Sequence, residues 1–169
     1  MKRLLFVAVL FAALVPMPGT LAIAAEVAPA PNGITLPSDY RDWRVIAVSQ
    51  REDNKTIRVI LGNDAAIAAA RSGQTNPWPD GIILAKLVWK DKNHDKWPTA
   101  IIPGDFVHAE FMVKDSAKYP ETGGWGFARW LGMEQKPFGE DASFVQQCFG
   151  CHIPVKENDY VFTHPVQLP

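Results

Sequence analysis

The chain has 169 residues, 47% hydrophobic and 21% charged, with a formal net charge of -1 at pH 7. That composition fits one globular domain with a real core, too short for two and too apolar for a disordered chain. The near-neutral charge offers no basic surface to nucleic acid or anionic lipid, and only two cysteines exclude a disulfide-dense scaffold.

Lys2 and Arg3 precede an apolar run from Leu4 to Val15, which Pro16, Pro18 and Gly19 break. Ala22-Ile23-Ala24 and Ile23-Ala24-Ala25 offer small-residue cleavage sites. A charged start, an apolar middle and a small-residue end read as a secretory signal peptide over 1–25. The run falls short of the ~20 apolar residues of a membrane helix. The mature protein is therefore expected in the periplasm, without a membrane span.

Residues 26–35 read as a flexible lead-in, and 36–169 as one domain. Leu36-Pro37-Ser38 opens a helical turn through Tyr40 and Trp43. Val45 to Val48 and Thr56 to Leu61 are β-branched runs around the charged turn Arg51-Glu52-Asp53-Asn54, so they predict a hairpin. Asn63 or Asp64 can cap a helix over Ala65 to Arg71, which Gly73 stops. Gly81 to Lys90, Asp105 to Val113 and Trp125 to Leu131 predict three more strands, with Asp91 to Ile102 as a loop between the first two. Asp141 caps a last helix carrying Phe144, Val145, Cys148 and Cys151. Strands mostly follow one another, so antiparallel pairing is the economical topology. The fold class is α+β: a small antiparallel β-sheet with a few short flanking helices.

Both cysteines lie in Cys148-Phe149-Gly150-Cys151-His152. This is C-x-x-C-H, the attachment sequence of a c-type haem. Thiols three residues apart on a helical turn can reach the two vinyl groups on one edge of a porphyrin, and the adjacent histidine can bind the iron. Three other uses of the pair compete: a structural disulfide, a thioredoxin-like thiol pair without its βαβ setting, and a zinc site. A sharper zinc variant pairs His108-Ala109-Glu110 with the cysteines as in zinc deaminases, with Gln147 where that signature has proline.

The far side of an iron here has several candidate ligands: Met112, Met133, His94, His108 and His164. Spacing selects none of them. Strand alternation adds two residues. Ile82, Leu84, Lys86 and Val88 share one face, which makes Lys86 a lone amine among apolar side chains. It is either a snorkelling lysine or an amine held near a cofactor. Phe106, His108, Glu110 and Met112 share a face of the next strand, where Glu110 is either a solvated charge or a proton carrier.

These residues together resemble the cytochrome P-460 family of exported c-type cytochromes and its relatives, the beta-type cytochromes c-prime. The likeness runs from about Leu36 to Pro165. It takes in Leu36-Pro37-Ser38-Asp39-Tyr40-Arg41-Asp42-Trp43, Ile57-Arg58-Val59-Ile60, Asp80-Gly81 with Lys86, and Gly104-Asp105-Phe106 with Glu110. It continues through Val113-Lys114-Asp115-Ser116 to the C-x-x-C-H sequence and Asp159-Tyr160-Val161-Phe162-Thr163. The resemblance implies one haem c, attached through Cys148 and Cys151, with His152 as the proximal ligand and the opposite iron position open. It implies that Lys86 carries an extra bond to a haem meso carbon and that Glu110 is the distal proton carrier. It further implies a homodimer that oxidises hydroxylamine to nitrous oxide or nitric oxide and passes electrons to a periplasmic cytochrome. The beta-type relatives instead bind nitric oxide and similar gases without turnover.

Overall fold

The structure, a computed structural model, describes residues 26–167. The expected signal peptide lies outside the described residues. Among these, no helix is long and apolar enough to cross a membrane.

A 3-10 turn (Tyr40–Asp42) leads into β1 (Arg44–Arg51) and β2 (Thr56–Gly62), and helix α1 (Asp64–Ser72) follows. Then come β3 (Ile83–His94), β4 (Trp97–Lys114), β5 (Trp125–Leu131) and the two-residue β6 (Lys136–Pro137). Helix α2 (Val145–His152) closes the domain, between 3-10 turns at Ala142–Phe144 and Ile153–Asn158. The strands lie in chain order β1-β2-β3-β4-β5-β6, and every neighbouring pair is antiparallel. The expected fold class is therefore the observed one.

Local chemistry accounts for the joints. Asn63 caps α1 by accepting the Ala66 N–H at 3.0 Å. The same oxygen accepts the Ile83 N–H at 3.2 Å, and the Asn63 amide donates to the Gly81 carbonyl at 3.0 Å, which ties the helix start to β3. Gly73 ends α1 in the left-handed region, at φ 73°. Asp80 accepts the backbone N–H and hydroxyl of Ser116. This contact links the Asp80-Gly81 turn to the loop after β4.

Two expectations change. Residues 26–35 are not a loose lead-in: Ala30 and Ile34 are buried, the Ala28 carbonyl accepts from the Trp130 indole, and the Asn32 amide donates to the Phe127 carbonyl. Small apolar side chains and backbone hydrogen bonds hold a segment whose composition alone reads as loop. Asp91 to Ile102 is not a loop either. It is the far end of the β3–β4 hairpin, with Lys92 paired to Ile102 and Asn93 to Ile101. The backbone ladder carries these strands past the point where hydrophobic alternation fades.

The two faces of the sheet have different jobs. On one, Phe111 stands between Ala85 and Ala128 in register. Their small side chains leave room for its ring, which meets Tyr40 and Trp130 edge-on at 5.4 and 5.5 Å. This core also holds Ala109 and Phe144, and each fully buried ring of this kind contributes about 1.5–3 kcal/mol. On the other face, Ile60, Leu84 and Phe127 pack with Ile67 of α1, Trp78, Trp125 and Val161. That second core stops short of covering the sheet, and the remainder is a cavity.

Candidate haem site

The cavity holds about 1230 Å³, and its floor is the open part of β2–β5. Register builds that floor in rows. Leu84, Met112 and Phe127 form an apolar row across β3, β4 and β5. One step along the strands, Lys86, Glu110 and Arg129 form a charged row. One step further, Arg58, Val88 and His108 form a third. All nine residues line the cavity. Cys148, Cys151 and His152 of α2 line it from the side, and Phe162 and His164 of the C-terminal segment complete the wall.

Lys86, Glu110, Cys148, Cys151 and His152 therefore meet in one cavity. The expectation that Phe106 shares the Glu110 face does not hold. The register shifts between Val88 and Trp89, which inserts Val107 as an extra residue and turns Phe106 to the opposite core. There Phe106 meets Trp89 at 5.5 Å.

The candidate far-side ligands separate as well. Met112, His108 and His164 line the cavity. His94 sits at the tip of the β3–β4 hairpin, where its Nδ1 accepts the backbone N–H groups of Lys96 and Trp97. Met133 is exposed in the turn between β5 and β6.

Glu110 is the electrostatic centre of the cavity. Its carboxylate touches the Lys86 amine from β3 and the Arg129 guanidinium from β5, and Nε2 of His108 lies 3.4 Å away. Burial pushes the Glu110 carboxyl up, but the neighbouring positive charges of Lys86 and Arg129 outweigh it and hold it below the ordinary glutamate value. Burial acts the other way on His108, pushing it down to about 4, so its imidazole is neutral at pH 7. A carboxylate and a neutral imidazole side by side can both accept protons.

His152 is held differently. Its Nδ1 lies 2.6 Å from the Tyr160 carbonyl, and its ring packs between Phe127 and Phe162 with centroids at 5.2 and 5.3 Å. A carbonyl can only accept, so Nδ1 carries the proton and Nε2 keeps its lone pair. Burial lowers the basicity of this imidazole, which also keeps it neutral. A metal-binding histidine needs this tautomer and this kind of backing hydrogen bond.

The cysteines are free thiols, Cys148 half-buried and Cys151 exposed. Burial raises the Cys148 pKa. They lie on one turn of α2, where Asp141 caps the preceding 3-10 turn by accepting the Ser143 N–H at 2.8 Å. Among the described residues, no three His, Cys, Asp or Glu side chains come together as a cage for a metal ion, so the zinc alternative has no ligand set.

The residues present fit a haem. The cavity offers an apolar row on its floor for the macrocycle, two thiols at its side and an imidazole with an unshared Nε2. It also offers two buried N–H groups without partners, Arg58 Nε and Arg129 Nε. Buried donors left unpaired are costly, and both arginines line the cavity, where an anionic group such as a propionate would satisfy them.

Sequence reasoning passed over Arg129, although a signal existed. Phe127 and Arg129 alternate along β5, so a core-facing Phe127 puts Arg129 on the cavity face. The Tyr160 carbonyl had no such signal, because backbone direction in a left-handed turn is not written in side-chain pattern. A family model described as cytochrome P460 matches residues 37–163. No curated protein matches the chain.

Proposed function

The chain belongs to the cytochrome P460 family and is a c-type haem protein of that family; from that premise we propose that it oxidises hydroxylamine. One observation carries the reading: Glu110, an ionised carboxylate flanked by Lys86 and Arg129, lines the same cavity as His152. A cavity that only binds an uncharged gas has no use for a carboxylate held ionised by two cations. An oxidation that releases protons with its electrons has one.

Cys148 and Cys151 would tether the haem by thioether bonds, and His152 Nε2 would bind its iron. When bound, the haem would supply an electron-accepting iron at which the substrate can be oxidised. The protein's own residues do the rest. Glu110 takes protons from the substrate as it is oxidised, and Arg129 holds the carboxylate in place. His108, neutral at pH 7, stands beside Glu110 as a second acceptor. Leu84, Met112 and Phe127 keep water from the adjoining region, which strengthens the charge interactions within it. On the family resemblance Lys86 would carry an additional bond to the macrocycle, a lever on the potential of the bound group.

An electron acceptor, such as a second cytochrome, must take the electrons away. On this reading the protein works as a homodimer in the periplasm, after loss of residues 1–25.

The test is to add hydroxylamine and a soluble electron acceptor to purified holoprotein. Steady reduction of the acceptor is expected. A stable nitrosyl spectrum without turnover would assign the protein to nitric oxide binding instead. Peptide mass analysis of the same sample should find haem joined to the peptide of Cys148 and Cys151 and to that of Lys86. Haem on the cysteine peptide alone would remove Lys86 from the reading.

A further inference from the structure

The most deeply buried ion pair among the described residues lies outside the cavity. Lys114 ends β4 and Asp159 follows the last 3-10 turn, and their side chains are 5% and 8% exposed. The Lys114 amine donates to both Asp159 oxygens at 2.8 and 2.9 Å and to the Gly123 carbonyl at 3.2 Å. It also lies over the Trp125 ring, 4.8 Å from its centroid. Asp159 accepts the Trp78 N–H at 2.8 Å through its carboxylate and the Trp125 indole N–H at 2.9 Å through its carbonyl. Burying two charges is expensive, and an apolar pair of similar volume often serves stability as well. The pair needs another reason to be here.

The backbone supplies one. Asp159 and Tyr160 are consecutive non-glycine residues in the left-handed region, at φ 49° and 61°. Aspartate tolerates that conformation and tyrosine does not. Strain of this kind persists only where the surroundings over-determine it. Here they do. Lys114, Trp78 and Trp125 grip Asp159 from three directions. The Tyr160 ring fills the space where a side chain on Gly123 would stand. The product of this strained turn is one backbone acceptor: the Tyr160 carbonyl, 2.6 Å from Nδ1 of His152.

We infer that Lys114 and Asp159 are positioning residues for His152: by pinning the Asp159–Tyr160 turn, they aim the Tyr160 carbonyl at Nδ1 and so fix the tautomer and donor strength of the imidazole. The inference rests on the reading of His152 as the haem ligand. A hydrogen bond from Nδ1–H raises the basicity of a ligating imidazole, and a more basic ligand favours ferric over ferrous iron. With the anchor removed, Tyr160 relaxes out of the left-handed region and its carbonyl turns away. His152 stays bound through its tether but becomes a weaker donor.

Two variants of the holoprotein test this. Asp159→Asn keeps a residue that tolerates the left-handed backbone and an oxygen for the Trp78 N–H, while removing the charge that holds Lys114. Asp159→Asn combined with Lys114→Met leaves no buried charge unpaired. The iron–histidine stretching band of the ferrous protein and the reduction midpoint are measured in both. Haem should stay attached, the band should move to lower frequency and the midpoint should rise relative to wild type. Wild-type values for band and midpoint in either folded variant overturn the inference. Loss of cooperative folding in both also overturns it, because the pair is then a stability element. A wild-type protein with no iron–histidine band overturns the ligand assignment itself, and the inference with it; that failure shows before any variant is made.

Discussion

Lys86 and Glu110 face each other across β3 and β4, with amine and carboxylate in direct contact on the floor of the cavity. The pairing is a consequence of register. A slip of one residue in either strand would send that strand's side chain to the opposite core and separate the pair.

Replacing Glu110 with Gln keeps shape and removes the proton acceptor. Hydroxylamine turnover should fall by about 10²–10⁴-fold, the usual worth of a positioned general base, while haem content stays at the wild-type level. Acceptor-reduction rates set against haem content measure this, and full activity in the variant would end the proton-carrier role.

If Lys86 carries the proposed bond to the macrocycle, its ammonium becomes a neutral amine. Glu110 then loses one of the charges that hold it down, and its carboxyl should protonate at higher pH. Lys86→Arg keeps a cation and cannot form the bond, so its Glu110 should protonate at lower pH than in the bonded protein. An infrared titration of the carboxyl band that disappears in Glu110→Gln gives both midpoints. Equal midpoints would show that the charge at position 86 does not govern Glu110.

His108 ties stability to acid conditions. Its pKa is about 4 folded against 6.5 unfolded, so between these values the unfolded chain binds the extra proton and stability falls as pH falls. The loss is at most about 3 kcal/mol across that window. His108→Gln should flatten the dependence of thermal midpoint on pH from 7 down to 4. A slope matching wild type would mean that this imidazole is solvated rather than buried.

Phe111 fills the space between Ala85 and Ala128 in the core with Tyr40 and Trp130, with 1% of its surface exposed. Phe111→Ala should lower unfolding free energy by about 3–5 kcal/mol, as large-to-small core substitutions of this type do. Denaturant melts would show it. A loss below about 1 kcal/mol would mean that the neighbouring rings collapse into the space.

The sequence by itself determined the composition class, the five main strands, both helices and the antiparallel order. β-Branched runs, turn residues and caps are local signals, and most of these strands neighbour each other in the chain. It also determined the C-x-x-C-H sequence and put Lys86 and Glu110 on faces where a charge needs an explanation. Tertiary structure alone decided the rest. Pairing register brought Lys86, Glu110 and Arg129 into one row. A bulge at Val107 sent Phe106 to the other core, and a one-residue insertion cannot be read from alternation before the partner strand is known. The packing of residues 26–35 depends on Trp130 and Phe127, some hundred residues away in sequence. The Tyr160 carbonyl faces His152 because Lys114, Trp78 and Trp125, from distant parts of the chain, hold a turn that its own residues disfavour.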